Sequence, residues 1–198
     1  MTDFFLDYYW AGPLLWAALY ISDYTMTLMC ARLYEAGARE KIAFEGSYEI
    51  TPFYQRDIDS LRRVSPRFVL VLGLGITIFA LSARDSAASS PELFSFMLGA
   101  LILLQLMVHI RHVRNFVLFR AMTTDGIRGR IEYARPLMLK ASSIEIATFA
   151  GMFAILFLFT GSTFVLGGAF GCTVVAVQHW NLRRRAAAIP ARPAAVER

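Results

Sequence analysis

The sequence predicts an all-α integral membrane protein that crosses the bilayer about five times. Three observations predict it. The 198 residues are 57% hydrophobic and 18% charged, with a mean hydropathy of +0.49, against about 45–50% apolar and about 25% charged in a soluble domain. Five apolar stretches each approach the ~20 residues that cross hydrocarbon about 30 Å thick. All but one of the 20 basic residues lie between spans one and two, between spans three and four, after span five, or in the span ends that adjoin these segments. Basic residues confined to one side are what the positive-inside rule produces.

The spans follow in order. Span one covers residues 11–33; Pro13 suits its first turn, where a missing N–H costs nothing, and Tyr8, Tyr9, Trp10 and Trp16 supply an aromatic interfacial belt. Span two covers 67–81, short and densely apolar after the Ser65-Pro66 break. Span three covers 91–110, starting on Pro91 and Glu92, and its helix continues past the membrane to Phe119. Spans four and five cover 137–160 and 163–180. Fusing them would make a helix far longer than a bilayer and put basic loops on both sides. Gly167 and Gly171 form a GxxxG on span five, and Ala147 with Gly151 a small pair on span four. Such residues let helices approach closely. Contact between spans four and five is expected first, a homo-oligomer second.

Residues 1–182 therefore read as one membrane domain, and 183–198 as a disordered basic tail rich in Ala, Pro and Arg. The start of the chain lacks a basic n-region and a small-residue cleavage site, so it does not read as a signal peptide. The charge bias predicts a multi-pass protein of a prokaryotic inner membrane, N-terminus outside and C-terminus cytoplasmic. Net charge of +5 then implies partners in anionic lipid headgroups and the bilayer itself, not nucleic acid.

The two basic loops carry pattern. Residues 42–50 read as two short strands around Gly46-Ser47, and 127–133 alternate as a half-buried strand does. A small sheet capping the cytoplasmic mouth is expected, with Glu45 and Glu49 facing Arg128 and Arg130. Between the strands and span two, residues 52–64 form an amphipathic interfacial helix with Thr51 as N-cap and Pro52 at its first position. Tyr54, Ile58, Leu61 and Val64 share its apolar stripe. Gly46 to Pro52 resembles Gly129 to Pro136, which points to a parallel duplication of spans one–two and three–four.

Polar residues inside the spans are the functional candidates, the carboxylates first, because a charged side chain at mid-depth costs about 2.5–3.5 kcal/mol. Asp23 precedes Arg32 by nine residues and so lies roughly 13 Å inside the membrane edge. Tyr20, Asp23, Thr27 and Cys30 share a helix face that should point inward. No Lys or Arg lies at that depth, so Asp23 and Thr27 read as an ion or proton site. Glu145, on one face with Ser142 and Thr148, is the second intramembrane acid. His109 and His112 are three apart on the face of Gln105, and His179 ends span five; this set is the candidate metal site. Arg62, Arg63, Arg111 and Arg114 are placed to meet lipid headgroups. Cys30 and Cys172 lack any ligand spacing and read as buried thiols. The chain has no Walker A loop, GxSxG elbow or HExxH motif, and no cofactor is indicated.

Three functions fit this pattern. The first is a small transporter or channel for a cation or proton, through a vestibule running from the histidines past Glu145 to Asp23. The second is a membrane-embedded enzyme acting on lipid or isoprenoid headgroups at the cytoplasmic face, with arginines holding phosphate. The third is an assembly subunit whose polar residues only fix helix register.

Overall fold

The computed structural model describes residues 2–122 and 129–188. Its elements run α1 (Thr2–Asp7), α2 (Ala11–Leu33), a π-helical turn (Tyr34–Ala38), α3 (Arg39–Lys41), β1 (Ile42–Phe44), α4 (Gln55–Asp59), α5 (Pro66–Ser89), α6 (Pro91–Met122), β2 (Ile131–Tyr133), α7 (Arg135–Thr160) and α8 (Thr163–Ala187). Five helices are long and apolar enough to cross a membrane. The chain is an all-α, multi-pass membrane protein with one small strand pair.

Helix ends follow the chemistry of the chain. The α5 helix starts one residue before the expected span, because Ser65 caps it: its Oγ accepts the N–H groups of Arg67 at 3.1 Å and Phe68 at 3.2 Å, with Pro66 behind it. Gly161 in the left-handed region ends α7 and makes the tight turn into α8. At 32 residues α6 is ~48 Å long, longer than the hydrocarbon it crosses. The last helix continues to Ala187, so Arg183, Arg184 and Arg185 stand on its final turns instead of in a tail that begins at residue 183.

The five long helices alternate in direction. The C-terminal ends of α2, α6 and α8 and the N-terminal ends of α5 and α7 meet at one end, where the basic residues collect. The α6 helix is the centre, packed on α2, α5 and α8, while α7 packs on α8. Glycine sets the α6–α8 contact. A Cβ on Gly99 would stand 1.8 Å from the Phe164 carbonyl oxygen, and one on Gly167 2.0 Å from that of Phe96. The GxxxG of α8 thus seats α6, where α7 had been expected, and Gly151 of α7 faces open space. Away from the basic end, two apolar clusters pack inside the bundle. One joins Trp16, Phe79, Phe94, Leu98 and Ile102; the other joins Met107, Ile146, Ala150, Cys172 and Ala176.

At the basic end β1 and β2 pair in parallel, Ile42 opposite Ile131 and Phe44 opposite Tyr133. The expected second strand after Gly46-Ser47 does not form. Glu45 accepts the Arg135 N–H at 2.9 Å, Glu49 accepts that of Thr51 at 2.7 Å, and Arg130 pairs with Glu132. Arg128 lies outside the described residues. The expected helix 52–64 shrinks to α4. Its N-cap is Tyr54 in place of Thr51, and it closes with Leu61 left-handed (φ 49°), the Arg62 N–H reaching the Asp57 carbonyl at 2.9 Å. Ile58 is buried against Tyr24, Leu28 and Phe68, whereas Val64 is exposed. Asp57 is buried too: it accepts from the Ser65 hydroxyl at 2.6 Å, which ties α4 to the cap of α5.

A candidate functional site in the basic half of the bundle

A cavity of about 820 Å³ opens in the basic half of the bundle. The helices supply its walls: Tyr20, Asp23, Tyr24 and Thr27 from α2; Arg111, His112, Arg114 and Asn115 from α6; Ser142 and Glu145 from α7; His179 from α8. The segment from Ile42 to Ile58 roofs it. That roof is tied down. Tyr54 bonds Tyr20 through their hydroxyls, the Tyr24 hydroxyl donates to the Arg62 carbonyl at 2.8 Å, and Asn115 donates to the Tyr48 hydroxyl at 3.3 Å. Phe68 stacks on Tyr24 with centroids 4.4 Å apart and on Tyr20 at 5.4 Å, each pair adding about 0.5–1.5 kcal/mol beyond area burial.

Asp23 has a partner that depth reasoning did not supply. His112 Nε2 stands 2.7 Å from Asp23 Oδ1, with Thr27 Oγ1 3.2 Å from the same nitrogen. Thr27 also donates to the Asp23 carbonyl at 3.0 Å, and Cys30 Sγ lies 3.6 Å from the His112 carbonyl oxygen. The inward face Tyr20, Asp23, Thr27 and Cys30 is therefore a docking face for His112. With Nε2 donating to the carboxylate, the free lone pair of the ring lies on Nδ1. That atom is buried and has no protein partner, an arrangement that costs about 1–3 kcal/mol when nothing answers it.

Glu145 is paired as well. It accepts from Arg114, and its Oε2 lies 3.1 Å from Arg111 Nε, across the cavity from α7 to α6. The Arg111 Nε is buried and out of line for a hydrogen bond, so the α6 guanidinium keeps donor capacity. Glu49 lines the roof, where desolvation pushes its carboxyl pKa up although the Thr51 N–H opposes this.

The three histidines do not converge. His109 Nδ1 donates to the Gln105 carbonyl of its own helix at 2.7 Å and lies outside the cavity lining, and His179 Nδ1 shares a 2.9 Å bond with Ser142 Oγ. Among the described residues no three His, Cys, Asp or Glu side chains gather to hold a metal ion. The expected metal set is thus split between separate partners. Thr148 faces outward and bonds the Ile144 carbonyl. Arg62 is exposed beside Asp57, Arg63 is exposed, and Arg111 stands inside the chamber, away from the outer surface. Tyr20 and Ser142 line the site on the faces that the spacing around Asp23 and Glu145 marks, and Glu49 reaches it from the loop; Tyr54, read only as part of an apolar stripe, is a lining residue that sequence did not assign to it.

Comparison of the chain with family models, with curated proteins and with solved structures gave no match.

Proposed function

We propose that the protein is a membrane-embedded enzyme acting on the headgroup of an anionic amphiphile at the cytoplasmic face of a prokaryotic inner membrane. The observation that carries this reading is one chamber holding both an imidazole–carboxylate pair, His112 with Asp23, and an arginine pair, Arg111 with Arg114, beneath mostly apolar walls. Arginine recognises phosphate or carboxylate through its planar fork. His112 is the acid–base group, exchanging the proton that its Nε2 shares with Asp23. Asp23 is a positioning residue and stabilises the imidazolium. Two features weigh against an ion pathway. Each intramembrane acid already has a basic partner, and two apolar clusters lie in the bundle beyond Tyr20 and Ile146.

The test is a lipid profile by mass spectrometry from cells expressing the wild type, Asp23→Asn or His112→Gln at equal membrane levels. The wild type is expected to convert one anionic lipid class into another. His112→Gln is expected to slow conversion about 10²–10⁴-fold, the usual worth of a proton-transfer group, and Asp23→Asn to slow it less and to shift the pH profile of what remains. Identical profiles in wild-type and empty-vector cells, or full conversion by His112→Gln, would refute the reading.

A further inference from the structure

The chamber has an unsealed side. Leu118 of α6 and Ile144 of α7 both line it, yet are 41% and 53% exposed, and Ala141 beside them is also exposed. The α7 helix packs on α8 and not along α6. Deeper down, Met107 of α6 and Ile146 of α7 share a buried cluster with Cys172 and Ala176 of α8. From Glu145 toward the basic end the walls separate, and among the described residues the ion pairs of Arg111 and Arg114 with Glu145 are what spans the gap. The rim of the gap is apolar. Its latch is a carboxylate held by two guanidinium groups, one of them with a buried Nε–H that is not aligned on any acceptor.

We infer that the ligand is a phosphate-headed amphiphile that enters sideways from the bilayer between α6 and α7, its phosphate displacing Glu145 from Arg111 and Arg114 and its tail leaving past Leu118 and Ile144. This rests on the headgroup reading above and adds the ligand class and the route. A phosphate offers at least two oxygens to the two guanidinium groups, as the carboxylate does, and carries equal or greater charge. Glu145 is then an internal competitor. It keeps the arginines satisfied while the site is empty, which matters because an unpaired buried charge is costly. A ligand without a tail gains nothing from the apolar rim, and a lipid whose headgroup carries no net charge competes poorly with the carboxylate.

The test uses the full chain in dodecyl maltoside micelles, with binding followed by native mass spectrometry and by the shift in apparent Tm. The probes are dioleoyl phosphatidic acid, dioleoyl phosphatidylcholine and inorganic phosphate. Phosphatidic acid is expected to bind and raise the apparent Tm, and the other two to have no effect at equal concentration. Glu145→Gln is expected to tighten phosphatidic acid about tenfold, equal to about 1.4 kcal/mol, because the competitor is gone. Arg111→Lys keeps a charge but loses the fork, and is expected to weaken binding at least about tenfold. Ile144→Trp narrows the rim and is expected to slow lipid uptake. Equal binding of phosphatidylcholine, whose choline offsets its phosphate, would overturn the claim that the head must be a net-anionic phosphate. Equal stabilisation by inorganic phosphate would overturn the tail and the side route, as would wild-type uptake by Ile144→Trp. Unchanged or weaker binding in Glu145→Gln would overturn the competitor role. Binding as expected without lipid conversion in cells removes the chemistry of His112 and leaves this inference standing. Conversion in cells without a Glu145→Gln effect does the reverse.

Discussion

Asp23 shows how far one residue carries an argument from sequence. Its depth marks it as costly, and the Tyr20–Asp23–Thr27 face does point into the bundle. What spacing within one helix does not reveal is the neighbour. His112 is 89 residues away, and only the packing of α2 on α6 brings its Nε2 to 2.7 Å. Glu145 tells the same story, read as a lone acid and found between two arginines of another helix. Glu49 supports a prediction that does not depend on any ligand. Desolvation raises its folded pKa above the ordinary 4.5. The folded protein therefore binds more protons than the unfolded chain once pH exceeds 4.5, and stability falls as pH rises through the raised pKa. Glu49→Gln keeps the acceptor for the Thr51 N–H and removes this titration. The variant is expected to match the wild type near pH 4 and to melt higher at pH 8. Equal melting temperatures across the range would show that Glu49 is not desolvated.

Among the elements, helix existence was readable because it needs only length and apolarity, and the starts at Ala11, Pro91 and Thr163 fall where Pro and turn chemistry put them. Helix partners were not. A small-residue stripe reports that something comes close, not which helix does. Gly99 of α6 and Gly167 of α8 lie against opposing backbone, while Gly151 of α7 meets nothing within 4 Å. Gly99→Ala is expected to lower the apparent Tm sharply, by the few kcal/mol that overpacking against rigid backbone costs. Gly151→Ala is expected to be neutral or stabilising by up to about 1 kcal/mol, from helix propensity alone. Thermal unfolding of the two purified variants decides it, and similar effects would mean that the α6–α8 contact is not where stability lies. The roof was half legible. Alternation marked β1 and β2, but the amphipathic stripe ran past Leu61, where a left-handed residue ends α4 and turns Val64 away.

The bundle as assembled gathers its basic residues at one end and puts the chamber there, so sidedness in the membrane bears directly on which headgroups are within reach. Reporter fusions at Ser47 and Ala188 are expected to read as cytoplasmic, and fusions at Ser89 and ahead of the N-terminus as external, from the charge bias. A cytoplasmic N-terminus would reverse the assignment and place the chamber in the outer leaflet. The deeper question is whether the chamber passes ions or holds a headgroup, because an intramembrane acid alone fits both. Proton and monovalent-cation flux in vesicles reconstituted with the full chain separates them. With Asp23 paired to His112, Glu145 paired to Arg111 and Arg114, and apolar clusters packed in the bundle beyond, flux is predicted to equal that of protein-free vesicles across pH 5–8. Flux well above that background, and lost in Asp23→Asn, would contradict the headgroup account.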